Sequence, residues 1–253
     1  RLTAWLQMFA SHLREKGWFE RAVFYLWDEP NAEYTDTLLA VGRAVKAAVP
    51  ELPILVVESP HEAWHEVVDI YCPQGKWFGR PYIEKELDEL YARGKQMWWY
   101  NCGDPAPLPT YAIPHDGACA RMSFLLMWKY KLSGNLYWSA GAMGVTADGV
   151  AENPGADGRG DGQLVYNCPG AGTAPSLRLE MIRDGVEDYE YLWLLNDLVS
   201  RGKQRGDDVA SYEELLAIPR EVAADASNYT HDSSIIEAYR AKVAQAVETL
   251  HVE

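Results

Sequence analysis

The sequence is short of basic residues: 23 Lys and Arg face 37 Asp and Glu, for a formal net charge of −14. No Lys/Arg cluster of the kind a nucleic-acid surface requires is present, so nucleic acid is not an expected partner. No apolar run approaches the roughly 18 residues of a membrane span, so no membrane partner is expected either. Cysteine is sparse, limited to Cys72, Cys102, Cys119 and Cys168. They form no CxxC pair, which removes the usual structural-zinc signature. They are also too few and too scattered to read as a disulfide framework. There is no GxGxxG or P-loop spacing for a nucleotide and no HExxH for a catalytic zinc. The acidic loop after residue 141 lacks EF-hand spacing, and His61 and His65 stand alone at i, i+4. No metal and no cofactor are expected.

Tryptophan, in contrast, is plentiful. Ten occur among 253 residues, of which 48% are hydrophobic. That is ample for a large core, where most of these rings are expected. Flat aromatic faces also suit the axial C–H bonds of a pyranose, so carbohydrate is the expected ligand. The acidic balance fits a neutral or basic substrate.

Along the chain, helix and strand patterns alternate. Residues 2–16 form an amphipathic helix with Leu2, Trp5, Leu6, Met8, Phe9 and Leu13 on one face. The first residue is Arg1, and the chain is expected to begin inside a helix, as part of a larger protein. Short apolar strands are predicted at 22–27, 54–58, 68–73, 97–102 and 135–140. Helices are predicted at 34–48, 61–67, 83–93 and 117–131. Buried strands alternating with helices imply a parallel sheet covered on both faces. The expected fold class is α/β, a (β/α)8 barrel of TIM type, of which this chain supplies the C-terminal five βα units within residues 1–200. The first three strands would come from a preceding segment of the same protein. An open doubly wound sheet is the alternative. Residues 141–175 are predicted to be a long solvated loop, 176–198 a helix capped by Ser176, and 201–209 a charged linker. Helices at 211–224 and 233–250 complete a C-terminal extension, 201–253. The charges around Arg183 and Glu187 read as solvated ion pairs on an outer helix, and Arg121 as half of a surface ion pair.

Barrel active sites sit at the C-terminal ends of the strands. That rule gathers Asp28, Glu29, Glu58, Tyr71, Cys72, Tyr100, Asn101, Trp138 and Ser139. Asp28-Glu29, directly after an apolar strand and before Pro30, is the sharpest feature. Adjacent carboxylates push one pKa upward, which favours a protonated acid able to assist a leaving group. Otherwise Asp28 caps the next segment and Glu29 forms a salt bridge. Tyr100 either hydrogen-bonds substrate or fills the barrel, Asn101 is a candidate for a sugar hydroxyl, and Trp138 for stacking under the ring. Tyr71 and Trp77 are expected at the rim, Trp77 being the better exposed.

The segments YLWDEPN, WWYNC, NLYW, GQLVY and SLRLEMIRDGVEDYEYLWLL resemble glycoside hydrolase family 123. They resemble equally the broader set called domain of unknown function 4091, many members of which have no assigned activity. The resemblance runs from about Phe24 to Leu195, and Ser176–Leu195 is its most specific stretch. It implies a β-N-acetylgalactosaminidase barrel preceded by a β-sandwich. It also implies retention through substrate-assisted catalysis, with Glu29 as general acid/base and Asp28 holding the 2-acetamido group. Such families depart from the two-carboxylate nucleophile scheme. Two alternatives stay open: a barrel glycosidase with Glu58 as nucleophile, and a non-catalytic sugar-binding or scaffold protein.

Overall fold

The structure, a computed structural model, describes residues 1–103, 107–141, 160–168, 170 and 172–252. Five strands form one sheet: β1 (Phe24–Asp28), β2 (Ile54–Val57), β3 (Ile70–Tyr71), β4 (Gln96–Asn101) and β5 (Gly134–Tyr137). They lie in the order β1-β2-β3-β4-β5, and every neighbouring pair is parallel. Helix α1 (Leu2–Glu15) precedes the sheet, and α2 (Thr35–Ala48), α3 (Ile83–Ala92) and α4 (Gly117–Lys129) form its crossovers. Between β2 and β3 only a single 3-10 turn, Glu62–Trp64, replaces the predicted helix. The result is a curled parallel half-barrel. Among the described residues its two edges, β1 and β5, do not meet.

Strand side chains alternate between two apolar faces. Val56, Tyr71, Met97 and Trp99 pack outward into the main core beneath the helices. Leu55, Val57, Ile70, Cys72 and Tyr100 pack on the concave face with Trp98, Cys102 and Leu136. Burial on both faces explains why these strands read as continuous apolar runs.

The C-terminal third departs most from expectation. An antiparallel hairpin, β6 (Val165–Cys168) and β7 (Gly172–Pro175), emerges from the predicted loop. Helix α5 spans Leu177–Arg205, with Ser176 Oγ accepting the Leu179 N–H at 3.2 Å. It runs through the first part of the predicted linker, because only at Gly206, φ 88°, does a left-handed residue stop it. Helix α6 (Ala210–Leu216) is shorter than predicted. Ile218 at φ 46° followed by Pro219 ends that pattern, and a small hairpin follows, β8 (Ala223–Asp225) and β9 (Asn228–Tyr229). Helix α7 (Ser233–Val252) closes the described chain. Ile236, Tyr239, Val243 and Leu250 of α7 share one core with Met97 and Trp99.

Arg121 is not a surface residue. Its guanidinium holds Asp188 of α5 through Nε at 2.5 Å and Nη2 at 3.0 Å, and also reaches Glu237 of α7. Arg240 adds a second cation 3.2 Å from Asp188. This buried network ties α4, α5 and α7 together behind the half-barrel. No described helix is long and apolar enough to cross a membrane.

Candidate active site

The site begins with an irregularity in β1. Its register with β2 pairs Tyr25 with Leu55 and Asp28 with Val57, with a shift between Tyr25 and Trp27. Leu55 and Val57 belong to the concave face. The extra residue of this bulge therefore brings Tyr25 and Asp28, three positions apart, to concave register positions that strict alternation would separate. The Tyr25 hydroxyl donates to Asp28 Oδ1 at 2.9 Å. Desolvation, reinforced by that hydrogen bond, raises the Tyr25 pKa well above its ordinary value, so it remains a donor.

Glu29 leaves the strand at φ 48°, a left-handed conformation that costs a non-glycine residue of order 1 kcal/mol or more. Its N–H still reaches Val57 O at 2.9 Å, so the turn is anchored to β2. The redirected side chain receives a short hydrogen bond from the Tyr100 hydroxyl of β4. Contact between residues on strands three places apart requires the sheet to curl. Tyr100 is only 8% exposed; burial, then the bond to Glu29, pushes its pKa upward and keeps its proton in place. Asp28 and Glu29 themselves are exposed. The arrangement is two adjacent carboxylates, each held through one oxygen by a phenol. It can position one carboxylate for proton transfer and the other for a polar group of the same ligand.

Cys72 points into the same face, its thiol pKa raised by burial and then by the charge of Asp28. Glu58 is half-buried beside this group; its charge reaches Tyr100, and its Oε1 takes the N–H of the adjacent Ser59 at 2.6 Å. Trp138 follows β5 at the position that continues the concave side of Leu136, and it is exposed. Its ring lies against Gly162, where an added Cβ would fall 2.2 Å from the ring.

Three expectations need correction. Tyr71 is fully buried on the convex side, in contact with His65 Nδ1 at 2.9 Å, because odd and even strand positions face opposite ways. It does not line the rim. Trp77 is 9% exposed and packs edge-on against Phe78 under Arg80, a core residue rather than an exposed one. Asn101, 1% exposed, spends its amide on Pro109 O at 3.0 Å and offers a sugar no surface.

Sequence reasoning missed two residues. Tyr25 escaped notice because its concave position depends on the bulge, which the pattern FYLWD does not signal. Asp161 was assigned to the solvated loop, yet it is buried. It accepts from the Tyr137 hydroxyl at 2.9 Å and lies 3.6 Å from Cys102 Sγ, which pins the loop after β5 against the concave face. A flanking Asp-Gly pair was the only local sign. Among the described residues, Ser139 Oγ does no more than accept the Gly141 N–H at 3.3 Å.

The family model described as the glycoside hydrolase 123 catalytic domain matches residues 1–195. Among solved structures, a family 123 glycoside hydrolase from Clostridium perfringens, from a structural study of glycolipid glycan hydrolysis, superposes with a TM-score of 0.62 at 17% identity. The match covers 99% of this chain and 44% of that one, so this chain spans less than half the length of that protein. At that identity the likeness speaks for the fold. No curated protein matches the chain.

Proposed function

Because the chain belongs to glycoside hydrolase family 123, whose catalytic-domain model matches residues 1–195, we propose that the protein is a retaining exo-glycosidase acting on β-linked 2-acetamido-2-deoxy sugars of the N-acetylgalactosamine type. Glu29 protonates the glycosidic oxygen while the substrate's own acetamido oxygen attacks the anomeric carbon. The C–O bond to the leaving alcohol breaks, and a cyclic oxazolinium forms. Glu29, now a carboxylate, takes a proton from water as that water attacks the anomeric carbon and reopens the ring. Two inversions give net retention. Asp28 holds the acetamido N–H and stabilises the positive charge that develops beside it. Tyr25 and Tyr100 fix the two carboxylates, and Trp138 supports the sugar ring.

One observation carries this reading: Asp28 and Glu29 leave one strand end side by side, each with a phenol donor from the concave face. A protein nucleophile needs a second carboxylate about 5 Å across the sugar from the acid. Glu58 supports that role poorly, because its carboxylate folds back on the Ser59 N–H. We further infer that a preceding segment of the same polypeptide supplies three more strands at the β1 edge, since eight are needed for closure.

The test uses the full-length protein and aryl 2-acetamido-2-deoxy-β-glycosides. Turnover with inhibition by a thiazoline mimic of the oxazolinium is the expected result. A covalent 2-fluoro-sugar adduct on Glu58 would overturn the mechanism. Sugar binding without turnover would instead identify a non-catalytic module.

A further inference from the structure

Away from the carboxylates, three ligand-type side chains converge where α4 begins. Asp116 is the N-cap of α4 and Cys119 lies three residues later, so both side chains face one side of the first turn. His231 arrives from the segment between β9 and α7, and one ligand atom from each residue lies within 4.8 Å of the others. His231 Nδ1 is 2.8 Å from Asp116 Oδ2 and 3.8 Å from Cys119 Sγ. A tetrahedral ion with bonds of about 2.0–2.3 Å sets ligand–ligand edges at about 3.3–3.6 Å. The two His231 separations straddle those edges and the third pair of ligand atoms lies within 4.8 Å, so side-chain rotation alone, without backbone movement, would bring the three donors around one ion. The Tyr229 ring stacks on His231 with centroids 4.9 Å apart, and its hydroxyl sits 3.5 Å from Cys119 Sγ. The imidazole is thereby oriented toward the thiol.

We propose that Asp116, Cys119 and His231 form a structural site for a divalent ion of the zinc class, with water as fourth ligand. A cap and a hydrogen bond with His231 account for Asp116 alone. They do not account for the convergence of a buried thiol, which also receives the Tyr229 hydroxyl, on the same imidazole nitrogen. The donor set of thiolate, imidazole and carboxylate selects Zn²⁺ or Co²⁺ over Mg²⁺ and Ca²⁺, which prefer oxygen. On binding, Cys119 loses its thiol proton to solvent as the metal–sulfur bond forms, and no electron is transferred. The ion would clasp α4, a crossover of the half-barrel, to the chain entering α7. The sequence hides this site because the third ligand lies 112 residues from Cys119. The proposal is independent of the hydrolase reading.

Cobalt titration of the reduced full-length protein tests it. The expected result is a thiolate-to-cobalt charge-transfer band that saturates at one ion per chain and disappears on adding Zn²⁺. Cys119→Ser should abolish the band, His231→Gln should weaken binding at least tenfold, and Cys102→Ser should leave it intact. Zn²⁺ at a hundredfold excess over Kd should raise Tm by about 5–10 °C. If Cys119→Ser fails to fold by circular dichroism, His231→Gln carries the test. A folded protein with no band, or a band unchanged in the two ligand variants, overturns the proposal.

Discussion

Tyr71 and Tyr100 make a matched pair: Tyr71 ends β3 and Tyr100 is the penultimate residue of β4, both are buried, and they face opposite sides of the sheet. Removing one hydroxyl from each separates the site from the scaffold. Tyr100→Phe deletes the donor to Glu29. A hydrogen bond to a charged group contributes about 1.5–3 kcal/mol, or about 10–150-fold in rate if it acts in the transition state. Glu29 is exposed, so water replaces part of the loss, and the lower end applies: about tenfold in kcat/KM. Tyr71→Phe deletes the contact with His65 on the convex side. It should cost about 1–2 kcal/mol of stability, lowering Tm by about 2–8 °C, while kcat/KM changes less than threefold. Initial rates on an aryl 2-acetamido-glycoside and thermal melts of both variants decide the matter. If Tyr71→Phe lost as much kcat/KM as Tyr100→Phe, the assignment of faces would be wrong.

Further predictions concern the scaffold and the rim. Asp188→Asn breaks a pair whose side chains are 7% and 3% exposed, so it should cost about 3–5 kcal/mol and about 6–20 °C in Tm. Glu237→Gln, with a side chain 60% exposed, should cost at most about 1 kcal/mol; equal losses in calorimetry would refute this reading of the network. Burial, followed by Arg93 and Lys95, holds the His65 pKa below its ordinary value. The unfolded chain then binds the proton more readily, so the stabilising contribution is present above about pH 6.5 and fades on acidification. Accordingly, an NMR titration of His65 should show a midpoint below 6.5, and His65→Gln should flatten the acid limb of the stability curve. A midpoint at or above 6.5 would contradict this. Trp138→Ala should raise KM about 3–10-fold through lost stacking, with a smaller effect on kcat; an unchanged KM would remove Trp138 from the site.

The sheet was legible because its central strands are buried on both faces and write continuous apolar runs, as in ILVV of β2 and MWWY within β4. The long helix was legible through Ser176, whose cap is present. Its end was not, since Arg201 and Lys203 looked like linker until Gly206 supplied the stop. The site was half legible. Position at a strand end gathers residues, but which of two neighbours faces inward depends on register. That is why Tyr71 and Asn101 were gathered with Cys72 and Tyr100, although only the latter two face the cavity side. Tyr25 depended on a bulge and Asp161 on a loop folding back, both consequences of tertiary packing. Trp77 illustrates the same limit, since a tryptophan beside Lys76 in a polar-looking segment is drawn inward by Phe78.

The central claim is that Glu29 transfers the proton to the departing sugar oxygen, and Glu29→Gln in the full-length protein tests it most directly. General acid–base catalysis contributes about 10²–10⁴-fold. The account predicts a fall in kcat of that size on a substrate with an unactivated leaving group, with affinity for the thiazoline mimic kept within about tenfold. A variant whose kcat stayed within threefold of the parent would contradict it.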